Sequence, residues 1–341
     1  LTASSEGKIE NNADPAGLVA ARGVAGRYHV ASYVGRTSAA WVYRAIHTGL
    51  AIPCFLKLAE LDDKGQVPER LKREARAAAA VRHPAILRVL DAGTWEGRLG
   101  YVAQEWTDGP TLRTIIQRGA VVSVTERIML AIDLLGALDA LHKKGILARA
   151  LEPERVFVRE LTDRREAKIF DLSRAYFMAE GGPPPVSERV RQGASGIVVQ
   201  SARYLSPEEI KETPPDPRSD LYSFGLVLYE LLTGEFPYKV GTGPAGFIVA
   251  HLREVPRPLE LPAERGPTPQ DLPAIIRKLL AKAPDDRFPT ADATRRALED
   301  VVVPDLLRYA TPAGQKVLDA WRSRVRLGLT STMGDASNGT T

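Results

Sequence analysis

The sequence predicts an α+β chain of two lobes: a small β-rich lobe with one long helix, then a larger helical lobe. Three observations predict it. Short β-like runs crowd between Tyr28 and Leu58. A single strongly helical segment follows them, from Pro68 to Val81. Beyond the turn cluster Asp108-Gly109-Pro110, apolar residues recur at helical spacing. The length, 341 residues, suits one large or two ordinary domains, and 44% apolar residues suffice for a core.

Taken in order, residues 1–26 are polar and Gly/Ala-rich and are expected to be a flexible leader. The small lobe is assigned to 27–107. Its strands are Tyr28-His29-Val30-Ala31, Trp41-Val42-Tyr43-Arg44 and Pro53 to Leu58, with further strand-like sequence at Ile86 to Val89 and Leu99 to Trp106. The helix between them is rich in Ala, Arg, Lys and Glu and is stopped by His83-Pro84. The large lobe is assigned to 108–302. Glu126 to His142 is apolar at helical spacing and closes at Gly145; short strands at Val156 to Val158 and Lys168 to Phe170 precede a Gly/Pro-rich stretch. Helices are expected at Leu221 to Thr233, Leu272 to Ala281 and Ala291 to Val301. An extension, 303–328, carries a basic amphipathic helix opened by Thr311-Pro312, and a flexible tail follows at 329–341.

Composition excludes several function classes. Lys and Arg number 46 against 42 Asp and Glu, a net charge of +4, too weak to imply a nucleic-acid partner. One cysteine, Cys54, excludes an intrachain disulfide framework and a Cys-rich zinc site. No run reaches the roughly 18 apolar residues of a membrane helix. The polar N-terminus has no signal-peptide core, so a cytoplasmic location is expected. The chain does not start with Met, which leaves open that it is part of something longer.

The motifs matter through their order. Val34-Gly35-Arg36-Thr37-Ser38-Ala39-Ala40-Trp41-Val42-Tyr43 lies between two strands; Lys57 follows Tyr43 by 14 residues, inside a strand, and Glu74 lies on the basic helix. A lysine on a strand and a glutamate on a helix are the halves of an ion pair that positions a triphosphate. Asp171-Leu172-Ser173 follows a strand, Ser206-Pro207-Glu208 closes a long segment, Asp220 opens an apolar helix, and Arg287 comes late.

This ordered set resembles the protein kinase family, most closely the eukaryotic-like serine/threonine kinases of bacteria, over about residues 27–302. The resemblance implies a two-lobed kinase-like fold. It makes Lys57 the phosphate-binding lysine, Glu74 its partner and Asp171 the magnesium-holding aspartate. It places Glu105, Trp106 and Thr107 on the hinge after a gatekeeper, Gln104. Glu208 and Arg287 match a buried ion pair, and Asp220 an aspartate that anchors the catalytic loop.

The departures lie in that loop. Where the family has His-Arg-Asp-Leu-x-x-x-Asn, the chain reads Ala148-Arg149-Ala150-Leu151-Glu152-Pro153-Glu154-Arg155. Ala150, at the catalytic-base position, has no atom to accept a hydroxyl proton. Glu152, at the catalytic-loop lysine position, would repel the transferring phosphoryl group. Arg155 replaces the metal-binding asparagine with a fixed cation and no acceptor. Of the phosphate-covering glycines only Gly35 remains. Phe55 stands where the family has a small residue against the adenine, and Phe157 is expected to approach the same space from the other lobe. Two rings buried there would join the lobes by roughly 1.5–3 kcal/mol each. The other reading has both rings turning aside from a usable cleft. Lys57, Glu74 and Asp171 then either form a residual ATP site or a structural network, with Arg155 pairing with Asp171 in place of a metal charge.

Ser187, Ser195 and Ser201 are candidate phosphorylation sites, and Arg149 either receives such a phosphate or bonds nearby carbonyls. The expectation is a catalytically inactive member, a pseudokinase and not an enzyme, serving as a regulatory or scaffolding module in bacterial signalling. Its partner would be another protein, an active kinase or a phosphopeptide-reading domain. No catalytic residue, metal or required cofactor is assigned. ATP binding, weak and without magnesium, stays open. So do two alternatives: a weak or unorthodox ATP-dependent phosphoryl or nucleotidyl transferase, and a metal-independent ATP-sensing switch.

Overall fold

A computed structural model describes residues 23–117, 122–149, 151–162, 164–181, 202–241, 243–263 and 268–308, with side chains to 301. Five antiparallel strands form the small lobe: β1 (Tyr28–Arg36), β2 (Trp41–His47), β3 (Ile52–Glu60), β4 (Val89–Trp95) and β5 (Leu99–Glu105). They lie in the order β1-β2-β3-β5-β4. Alternation along β3 sends Cys54, Leu56 and Leu58 into a core shared with Tyr28, Tyr43 and Tyr101, and turns Phe55, Lys57 and Ala59 to the opposite face. On that face packs α1 (Glu69–Ala80), whose buried stripe is Leu71, Glu74, Ala77 and Ala78. Helical spacing thus aims Glu74 at the same space as Lys57.

The strand expected at Ile86 to Val89 is not one. Ile86 makes a single parallel bridge to Ile169, and the fourth strand runs from Val89 to Trp95 instead. Its Asp91 and Gly93 hide it from a composition reading, yet it is held by pairing with β5. The leader also ends earlier than its assigned boundary: Val24 is fully buried and exchanges amide hydrogen bonds with Tyr28.

The large lobe is built on α3 (Val124–His142) and α5 (Pro217–Thr233). Ser123 and Glu126 close a reciprocal capping box at the start of α3. Asp216 caps α5, which ends at Gly234 in a left-handed conformation that glycine adopts without strain. Around them lie α2 (Leu112–Gln117), α4 (Pro207–Ile210), α6 (Pro244–Arg253), α7 (Leu272–Leu279) and α8 (Ala291–Arg308). Helices α2 and α6 fall where the sequence signalled none; both are short and lean on their neighbours. Two small two-stranded sheets complete the lobe: β6 (Ile146–Leu147) with β9 (Tyr176–Phe177), and the hairpin β7 (Val156–Glu160) with β8 (Arg165–Ile169). The helix expected from Thr311 lies outside the described residues. No described helix is long and apolar enough to cross a membrane.

Candidate active site

The site lies where β3 and α1 of the small lobe meet the β6–β9 and β7–β8 pairs of the large one. Lys57 and Glu74 are both fully buried and form an ion pair. The Lys57 ammonium also donates to the Phe170 carbonyl at 2.8 Å and sits 3.5 Å from the centre of the Phe170 ring. Burial pushes the Glu74 carboxyl up to about 7, against the opposing pull of Lys57.

A 3-10 turn at Pro153–Arg155 brings Arg155 back towards Glu152, three residues earlier. Arg155 Nε donates to Glu152 Oε2 at 2.9 Å, and its Nη1 lies 3.3 Å from Asp171 Oδ2. The other Asp171 oxygen accepts the Ser173 amide at 2.8 Å. Burial opposes ionisation of Asp171, but the Arg155 and Lys57 cations hold its carboxyl well below the usual range. The second Glu152 oxygen accepts from Arg174 Nη1 at 2.6 Å. Three cations and three carboxyls therefore interlock: Lys57, Arg155 and Arg174 with Glu74, Glu152 and Asp171.

A magnesium ion does not fit this donor set. Asp171 brings one carboxylate already engaged on both oxygens, and the neighbouring group is a guanidinium with no acceptor. The phosphate-covering loop is likewise occupied with itself. Thr37 Oγ1 accepts the amides of Ala39 at 3.2 Å and Ala40 at 3.1 Å, donors that a phosphate would otherwise need.

Above the ion network the cleft carries four rings. Phe55 packs on Trp106 at 4.3 Å between centroids, on Phe170 at 4.9 Å and on Phe157 at 5.4 Å; Phe157 meets Phe170 at 5.3 Å. Val42 and Leu87 complete the cluster. Sequence reasoning paired Phe55 with Phe157 but missed Phe170 as the ring between them. Its position next to Asp171 was the available signal. At the hinge Gln104 is buried opposite Phe55 with its Oε1 unpaired. Glu105 accepts from Arg88 at 3.0 Å, and Thr107 is buried and donates to the Asp108 carbonyl at 3.4 Å.

Deeper in the large lobe Asp220 accepts the amides of Ala148 at 2.8 Å and Arg149 at 2.7 Å, and bonds His142 at 2.8 Å. It thereby holds Arg149 at φ 57, a conformation uncommon outside glycine. Arg149 Nε donates to Glu209 at 2.8 Å, a partner that neither sequence reading named. Glu208 takes both terminal nitrogens of Arg287, at 2.7 and 2.9 Å. Ala150, Ser187, Ser195 and Ser201 lie outside the described residues.

A family model described as the protein kinase domain matches residues 28–298. The chain belongs to the protein kinase family. Among curated relatives, this kinase-family chain is 35% identical to a probable serine/threonine-protein kinase of Streptomyces coelicolor, over 82% of its own length and 40% of that protein's. It is 37% identical to the serine/threonine-protein kinase PknB of Mycolicibacterium smegmatis, over 67% and 35%. It is 31% identical to the serine/threonine-protein kinase pkn3 of Myxococcus xanthus, over 82% and 50%. The chain thus spans half or less of the length of these relatives. Their names correct one expectation. The reading of a non-enzyme rested on loop residues alone, whereas proteins sharing most of this domain are named as kinases, which points to an enzyme. The physical reason is that phosphoryl transfer draws mostly on positioning and charge, so one altered loop is no proof of inactivity.

Proposed function

We propose that this domain is a gated, unorthodox ATP-dependent phosphotransferase that serves a regulatory role in bacterial signalling. The observation that carries the reading is the Arg155–Asp171 ion pair at 3.3 Å. It puts a fixed cation beside the carboxylate that the family uses for a metal, so charge neutralisation at a phosphate is built into the chain. Lys57 supplies a second cation, oriented by Glu74 and the Phe170 carbonyl. ATP is the substrate that provides the transferable phosphoryl group. The phosphate end of the cleft suits it through these cations, but the four stacked rings admit adenine only after they part. Closure therefore gates binding. With alanine at position 150, no proton acceptor helps the attacking hydroxyl, so turnover relies on charge placement and is slow.

Gating gives the domain its regulatory character. Arg76 of α1 pairs with Glu180 and lies over the Phe177 ring at 4.4 Å, so movement of α1 is tied to the segment after Asp171. A partner protein that binds α1 or that segment would shift the cleft between closed and open populations. An active kinase or a phosphopeptide-reading domain would suit, in the cytoplasm.

The test is transfer of labelled phosphate from ATP by the full chain, with magnesium and with EDTA. Slow labelling that survives EDTA and disappears in both Lys57→Met and Arg155→Gln is expected. Labelling no higher than in those variants would overturn the reading.

A further inference from the structure

We infer that Arg155 and Arg174 form a metal-free clamp for an oligophosphate, with Glu152 as the internal anion that occupies it in the closed cleft. The inference rests on the phosphotransferase reading and goes on to name the groups that hold the phosphates and the group that excludes them.

The geometry is that of a shared anion. Each Glu152 oxygen takes one guanidinium: Arg155 Nε at 2.9 Å and Arg174 Nη1 at 2.6 Å. Two arginines converging on adjacent oxygens is the arrangement a phosphate group accepts equally well. Glu152 is 7% exposed and Arg155 10%, whereas Arg174 is 21% exposed and forms the open side of the pair. An anion can therefore reach Arg174 first and displace Glu152 afterwards. Burial lowers the Arg174 guanidinium to about 10, with the Arg155 cation adding to the fall and the Glu152 and Asp171 carboxylates opposing it.

The experiment is calorimetric titration of the full chain with tripolyphosphate and with ADP, both in EDTA, for wild type, Glu152→Gln and Arg174→Gln. Glu152→Gln keeps the shape and one of the two acceptors but removes the competing charge, and tripolyphosphate is expected to bind it roughly ten-fold tighter. Arg174→Gln is expected to bind roughly ten-fold more weakly. If Arg174→Gln does not fold, Glu152→Gln decides alone. Absence of magnesium-free binding at millimolar tripolyphosphate, or unchanged affinity in Glu152→Gln, overturns the clamp. Failure here with ATP labelling intact would leave the phosphotransferase reading standing. The expected affinities without labelling would uphold the clamp and remove that reading.

Discussion

Arg155 shows how much one residue redirects. It binds Glu152 and Asp171 together and so ties two carboxylates of the site to one guanidinium. Asp133 is a quieter case, on α3 against β8. Its carboxylate accepts the Ala167 amide at 3.2 Å. Burial raises its carboxyl to about 7, more than the Ala167 hydrogen bond and the Arg164 cation lower it; Glu166 adds to the rise, and Lys168 opposes it. The folded state then holds the proton more tightly than the unfolded one. The stability that Asp133 contributes is full below about pH 4, falls as pH rises towards 7 and is gone above. In Asp133→Asn the decline between pH 4 and 7 should be shallower than in wild type, with the part due to Glu74 remaining, as read by urea midpoints across pH. A parallel slope in both proteins would contradict this. The Glu208–Arg287 pair is stabilising in a different manner, because each partner is buried with the other. Replacing Arg287 by Ala should cost about 3–5 kcal/mol in denaturant unfolding, since Glu208 is then left buried and unpaired.

At the scale of elements, periodicity did most of the work. The stripe Leu71, Glu74, Ala77 and Ala78 on α1 and the alternation Phe55, Lys57, Ala59 on β3 are both legible in the sequence, and they alone bring Lys57 to Glu74. Helix α3 was legible too, apart from its first turn. Ser123 and Glu126 close its capping box, and Ser123→Ala should cost about 1 kcal/mol, seen as a lower thermal midpoint with unchanged circular dichroism. An unchanged midpoint would mean that packing, not the cap, sets this end. Strand β4 was missed because Asp91 and Gly93 carry no β signal; its place comes from the β5 edge it completes. Helix α2, at six residues, is too short for periodicity to declare it, and α6 opens on Gly243-Pro244 and buries only Phe247, Ala250 and His251.

For the whole molecule, the aromatic seam is an apolar junction between the lobes at the cleft. Phe55 and Trp106 come from the small lobe and hinge, Phe157 and Phe170 from the large lobe. Phe55→Ala removes the ring that touches all three others and should lower unfolding stability by roughly 3–5 kcal/mol. The same change should open space for adenine. ADP at 100 times its dissociation constant would then restore about 2.7 kcal/mol of stability, measured as a rise in thermal midpoint larger than in wild type. A smaller rise than wild type would show that the seam does not gate the cleft.

The sequence by itself determined the two-lobed α+β class, the positions of Lys57, Glu74, Asp171, Glu208, Asp220 and Arg287 on their elements, and the altered loop from Ala148 to Arg155. These follow from local periodicity and ordered motifs, which one chain segment carries alone. Only the tertiary structure decided that Glu152 bridges Arg155 and Arg174, that Arg149 turns to Glu209, and that Phe170 completes the ring cluster. Each of those outcomes is a choice among several nearby charges or rings. The choice is made by burial, because a desolvated charge must find a partner wherever the packed chain happens to place one.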